Sequence, residues 1–297
     1  MYFLLHTNSH AQHYPQYSRY LFNGLAINPA YAGSDEAFTV AALYRNQWTG
    51  FDGHPVTQTF SAHAPLKKMS MAAGLLLCND KTGVTGTSTV VFSYAYRVKA
   101  GRGKLSLGLD GGVHIIRSQW SQLATVEAGD AAFAEDSRTG IVPDAGFGVY
   151  YYDDMYFAGI SVPGALSYKE EMAGNRFRTY HDFANYNLLV HGGALFTVHE
   201  NIKIKPSLLL RYHPNSPPQL DINLIGIWKD AFVAGFSYRT GDAVTGLLEY
   251  RVNDRLRIGY AFDYTLTELD RYNNGSHEIM IRYTFLYQVN ASNPRYF

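Results

Sequence analysis

The sequence predicts an all-β fold: a transmembrane antiparallel β-barrel of about 14 strands behind a short N-terminal plug segment. Three observations predict it. Apolar and polar residues alternate with a period of two from about residue 37 onward. Most alternating segments have close to the roughly 9–11 residues that a tilted strand needs to cross a bilayer. Aromatic residues make up 15% of the chain and charged residues only 17%, against about 25% in a typical soluble domain.

The remaining composition narrows the function. Lys+Arg and Asp+Glu are both 25, so the chain lacks the basic excess that nucleic-acid binding needs. A single cysteine, Cys78, makes neither an internal disulfide nor a cysteine zinc site. No run of about 18 apolar residues is present, so a membrane span has to be built from strands rather than helices.

The N-terminus comes first. Residues 1–11 read as the remnant of an export signal, because Ser9 and Ala11 place small side chains at −3 and −1 before Gln12. Residues 12–36 read as an ordered plug segment. Pro29 fixes its own φ and drives Asn28 toward extended geometry, while Gly33 offers a turn. Phe22, Leu25, Ile27 and Tyr31 are its candidate anchors, either in the lumen or along the periplasmic rim.

The barrel is expected over 37–286, followed by a tail at 287–297. Its strands are expected at 37–48, 56–64, 69–78, 84–97, 103–116, 141–152, 154–162, 186–199, 202–212, 218–229, 231–239, 242–252, 254–264 and 276–286. The last one shows the pattern: Ile279, Ile281, Tyr283 and Phe285 fall on one face, and Glu278, Met280, Arg282 and Thr284 on the other. Connections alternate between short (65–68, 99–102, 153, 200–201, 230, 253) and longer (49–55, 117–140, 163–185, 213–217, 265–275). That is the pattern of periplasmic turns and surface loops. Tyr44, Trp48, Tyr94, Tyr96, Tyr150, Tyr151, Tyr152, Tyr260 and Tyr264 fall where interfacial girdles are expected.

If the apolar face meets lipid, the other face lines the lumen. A polar network is expected there from His63, Arg97, Asp110, His114, Arg211, Asp221, Glu249, Arg257, Asp263, Glu278 and Arg282, with a structural role first and a recognition role second. Catalytic signals are weak. His199-Glu200 and His277-Glu278 lack the second histidine of a zinc-protease motif, and Lys203 and Ile281 stand in its place. No nucleotide loop or nucleophile elbow is present. No catalytic residue, metal or cofactor is expected.

Two blocks carry a resemblance. One is Asn28-Pro29-Ala30-Tyr31-Ala32-Gly33, and the other is Arg45-Asn46-Gln47-Trp48. With weaker stretches such as Asp221-Ile222-Asn223 and Asn293-Pro294-Arg295-Tyr296-Phe297, they make the chain resemble the PorP/SprF family of outer-membrane proteins. That family serves type IX secretion and gliding in Bacteroidota. The resemblance implies an outer-membrane location and no enzymatic activity. It also implies three partners: a secreted client with a type IX C-terminal signal domain, other type IX components, and membrane lipid. The barrel would assist the client's export or surface anchoring. Asn28, Pro29, Ala30, Tyr31, Gly33, Arg45, Gln47 and Trp48 are the candidate partner-binding or lead-in residues. The alternative is a passive channel or small-solute transporter.

Overall fold

Alternation in the sequence becomes alternation of exposure along each strand. The computed structural model describes residues 18–66, 70–122, 139–166, 168–172, 177–181 and 186–285. The expected signal remnant at 1–11, the first residues of the plug segment and the tail at 287–297 lie outside these. The strands are β1 Phe38–Asn46, β2 Val56–Pro65, β3 Met71–Thr82, β4 Thr85–Ala100, β5 Gly103–Ser118, β6 Gly140–Tyr152, β7 Tyr156–Val162, β8 Tyr168–Met172, β9 Phe177–His181, β10 Leu188–Ala194, β11 Phe196–His199, β12 Ile202–His213, β13 Ser216–Trp228, β14 Phe232–Arg239, β15 Ala243–Arg251, β16 Leu256–Thr265 and β17 Ser276–Phe285.

Among the described residues, fourteen strands close into one antiparallel ring, because β1 pairs with β17 and β10 pairs with β12. Strand β11 is one extra strand on β12, and β8 with β9 forms a separate hairpin. Register follows the pleat. Arg45 sits opposite Glu278, and Phe38 opposite Phe285. Outward positions such as Phe92, Leu109, Ile141, Leu224 and Ile279 are more than half exposed. A continuous apolar exterior of this kind suits hydrocarbon rather than water.

Both barrel termini, Phe38 and Phe285, lie on one rim with the connections at 66–70, 101–102, 153–155, 200–201, 229–231 and 252–255. We call this the turn rim. The opposite, loop rim carries 47–55, 266–275 and the ends of β5, β6, β7 and β10 that flank the other two expected long loops, as the loop pattern predicts. Three loop-rim connections are short, however. Strands β3 and β4 run on through the expected break at 79–83 and join at Gly83 (φ 57) and Val84. The links at 214–215 and 240–242 are equally brief. The expected strand at 186–199 is interrupted at Leu195, whose N–H donates to the Met155 carbonyl at 2.7 Å. The hairpin β8–β9, inside the expected loop 163–185, has no counterpart in the alternation pattern.

The core of this molecule lies inside the ring. Phe22 packs on Ala41, Leu43, Ile225, Leu247 and Met280. Leu25, Ala30, Tyr31 and Ala32 pack on Ala72, Ala95, Tyr150 and Tyr152, and Ile27 packs on Leu189 and Leu209. Burying each large side chain contributes about 1.5–3 kcal/mol. The segment before β1 is therefore held in the lumen by the hydrophobic effect.

Candidate functional site

The segment enters the lumen as three short 3-10 turns, Ser18–Leu21, Gly24–Ala26 and Pro29–Tyr31. Asn28 is extended (φ −148°, ψ 115°), as a residue before proline should be. Its Oδ1 accepts from the Ala30 N–H at 2.9 Å and caps the turn that Pro29 opens. Its Nδ2 donates to the Val149 carbonyl at 3.0 Å. The wall beneath is glycine. A Cβ on Gly108 would collide with Pro29 and Ala30, one on Gly148 with the Asn28 side chain, and one on Gly159 with Asn28 and His191. Three neighbouring strands thus leave a recess shaped for Asn28–Ala30.

Gly33 turns the chain in the left-handed region (φ 72), where a Cβ would also strike Ala72. Its N–H donates to His63 Nδ1 at 3.1 Å, and its carbonyl accepts from Arg97 Nη1. The next two acids anchor the segment to both sides of the ring. Asp35 pairs with Arg282 of β17 and lies 3.5 Å from His63 Nε2. Glu36 Oε1 accepts from Arg97 Nη1 at 2.9 Å, Lys104 Nζ at 2.6 Å and the Tyr152 hydroxyl at 3.0 Å. Further ties run from Tyr20 to Asn223 (3.0 Å), from Asn23 to Ser61 (2.9 Å) and from Ser161 to the Ile27 carbonyl (2.6 Å). The plug therefore spans the lumen from wall to wall.

Burial alone would raise the Asp35 carboxyl. The Arg282 guanidinium, and after it His63, outweigh that effect and hold it at about 2. Asp35 is thus an anionic anchor across the ordinary pH range.

The remaining network residues fall into three groups. Near the loop rim, Arg45 holds Asp263 at 2.6 Å and Glu278 at 3.2 Å, and Arg239 and Arg211 hold Asp221 at 3.2 and 3.1 Å. On the β4–β6 wall, His114 Nε2 lies 3.1 Å from Asp144 and its Nδ1 2.8 Å from Thr89, while Ser93 donates to Asp110 at 2.6 Å. Near the turn rim, Arg257 holds Glu249 at 2.8 Å.

The two family-like blocks are separated in space. Asn28 to Ala30 sits in the glycine recess and Gly33 packs against Ala72, whereas Gln47 and Trp48 lie on the loop rim. There the Gln47 N–H donates to Pro55 and the Trp48 N–H donates to Ser276 Oγ at 3.0 Å. Tyr150 and Tyr152 are corrections to the girdle reading. They are 1% and 4% exposed and point inward, where Tyr150 packs on Tyr31 at 5.6 Å. Three tyrosines in a row cannot all face lipid when the pleat alternates. Tyr44, Tyr94, Tyr96, Tyr260 and Tyr264 do face outward. The glycine recess was missed. Gly108, Gly148 and Gly159 at inward positions were its signal.

The family described as Type IX secretion system membrane protein PorP/SprF matches residues 9–283. The chain belongs to the PorP/SprF family. It is accordingly an outer-membrane barrel of the type IX system, and membership implies association with other secretion components. Similar solved structures extend the fold alone. The CymD monoaromatic hydrocarbon channel has 12% identity and a TM-score of 0.53, with 90% of this chain and 93% of that one covered. The Ralstonia pickettii toluene transporter TbuX has 11% identity and a TM-score of 0.50, with 88% and 92% covered. Comparison with curated proteins gives no match. Among the described residues no group of three or more His, Cys, Asp or Glu could hold a metal ion.

Proposed function

We propose that this PorP/SprF barrel binds one secreted client protein carrying a type IX C-terminal signal domain and assists its export or surface anchoring. The observation that carries the reading is the filled lumen. Residues 18–36 span the ring on buried contacts, and Asp35 and Glu36 tie the segment to β4, β5, β6 and β17. A barrel occupied in this way suits a docking body better than a conduit. The Asn28–Gly33 block acts as its keystone and the lumen ion pairs stiffen the wall. The loop rim, where Gln47 bonds Pro55 and Trp48 bonds Ser276 of β17, presents the client-facing surface.

Deleting the gene and profiling the cell surface by proteomics tests this. The expected result is loss of one large surface protein, with the rest of the surface proteome retained. An unchanged profile overturns it.

A further inference from the structure

The outer face of the barrel carries a groove of about 1000 Å³ on the arc from β12 to β17. Pairing register explains it. Trp228, Phe232 and Tyr250 stand side by side in one outward row at the turn-rim end of β13, β14 and β15. One pleat further from that rim, the outward row reads Gly226, Ala234 and Leu248. Two small residues behind two large rings leave the hollow. The space at Gly226 is open, because a Cβ there would meet only the Ala234 carbonyl, at 3.8 Å. The rings hold one another in place, with centroids 5.5 Å apart for Trp228 and Phe232 and 4.8 Å apart for Phe232 and Tyr250. Trp and Tyr favour headgroup depth, so this row marks the bilayer interface and the hollow lies at hydrocarbon depth.

The two rim connections next to this row each carry an exposed cation, Lys229 between β13 and β14 and Arg255 between β15 and β16. Lys229 Nζ lies 5.0 Å from the centroid of the Trp228 ring, over the edge of the groove. The acids of the same connections are engaged by other cations: Asp230 by Lys203 at 2.8 Å, and Asp254 by Arg251. Neither Lys229 nor Arg255 has a carboxylate partner among the described residues. An apolar hollow that opens to hydrocarbon and ends at two such cations is complementary to a molecule with a negative head and long apolar tails.

We propose that this groove holds one anionic phospholipid of the leaflet on the turn-rim side, with its phosphate at Lys229 and Arg255 and an acyl chain over Gly226 and Ala234. The rings of Trp228, Phe232 and Tyr250 flank the glycerol region. This is a fixed site on one arc of the barrel, distinct from the general contact that the apolar exterior makes with lipid. The inference goes beyond client binding and stands whether or not the client reading does.

Native mass spectrometry of the purified full barrel in detergent tests it. Phosphatidylglycerol and phosphatidylcholine with identical acyl chains are offered in equal amounts, and the native barrel should retain the former preferentially. One Lys or Arg near an anionic lipid surface corresponds to about fivefold in affinity, so Lys229→Gln with Arg255→Gln should weaken phosphatidylglycerol binding roughly 25-fold and change phosphatidylcholine far less. Lys99→Gln, at the turn-rim end of β4 on the opposite side of the ring, should keep the preference. Gly226→Leu fills the hollow and should weaken both lipids. Equal retention of the two lipids by the native barrel overturns the proposal. So does an unchanged preference in the double variant, an equal loss of preference in Lys99→Gln, or unaltered retention in Gly226→Leu. The comparison of the two lipids uses the unaltered protein, so a misfolded variant does not decide it.

Discussion

Arg282, near the end of the last strand, forms an ion pair with Asp35, just before the first strand, 247 positions away. The two meet because β17 pairs with β1 when the ring closes. One contact therefore joins barrel closure to plug placement, and a barrel that has not closed lacks the partner that holds its plug.

That contact has a pH signature. Asp35 sits at about 2, below its ordinary 3.8, so its contribution is fully present above about pH 4 and is lost as pH falls toward 2. Thermal unfolding midpoints followed by tryptophan fluorescence should drop across that window in the native chain. Asp35→Asn should be less stable at pH 7 and should lack this part of the drop. A variant with the full native drop contradicts the pairing.

The glycine recess predicts a plug-specific lesion. Gly148→Val places side-chain atoms where Asn28 lies. Overpacking costs about 1–3 kcal/mol, so local release of the plug should rise roughly five- to 150-fold. Trypsin cleavage after Arg19 in the folded barrel reports it. An unchanged cleavage rate contradicts the recess.

Strand number and facing were legible in the sequence because a pleat turns a one-dimensional pattern directly into two faces. Glu278 and Met280 are inward at 0% exposure, while Ile279 is 52% exposed, as their alternation requires. The plug was legible only in part. Pro29 and Gly33 announced a turn, but whether the segment sat in the lumen or on the rim depended on Asp35 meeting Arg282 and Glu36 meeting Lys104. Such contacts between distant positions leave no local signal. Tyr150 and Tyr152 misled for a related reason. Tyrosine serves an interface and a packed lumen equally well, and the choice depends on the Tyr31 and Glu36 that stand opposite.

Arg45 predicts a stability effect without a plug effect. It is 3% exposed and serves two buried carboxylates, Asp263 and Glu278. Removing one partner of such a group costs about 3–5 kcal/mol. Arg45→Ala should lower the urea unfolding midpoint of the barrel while tryptic cleavage after Arg19 stays slow below the transition. An unaltered midpoint contradicts the arrangement.

Tyr152→Phe isolates one tie. Its hydroxyl donates to Glu36 at 3.0 Å, a bond to a charged group worth about 1.5–3 kcal/mol. Cleavage after Arg19 should accelerate by about tenfold or more, with the unfolding midpoint little changed. No acceleration contradicts a role for that bond in holding the plug.

Residues 18–36 span the lumen, and under the proposed client-binding role the barrel binds rather than conducts. Single-channel recording in planar bilayers tests it most directly. The native barrel should show no large steady conductance, and a chain deleted for residues 18–36 should show one. A large steady conductance from the native barrel alone would contradict the claim.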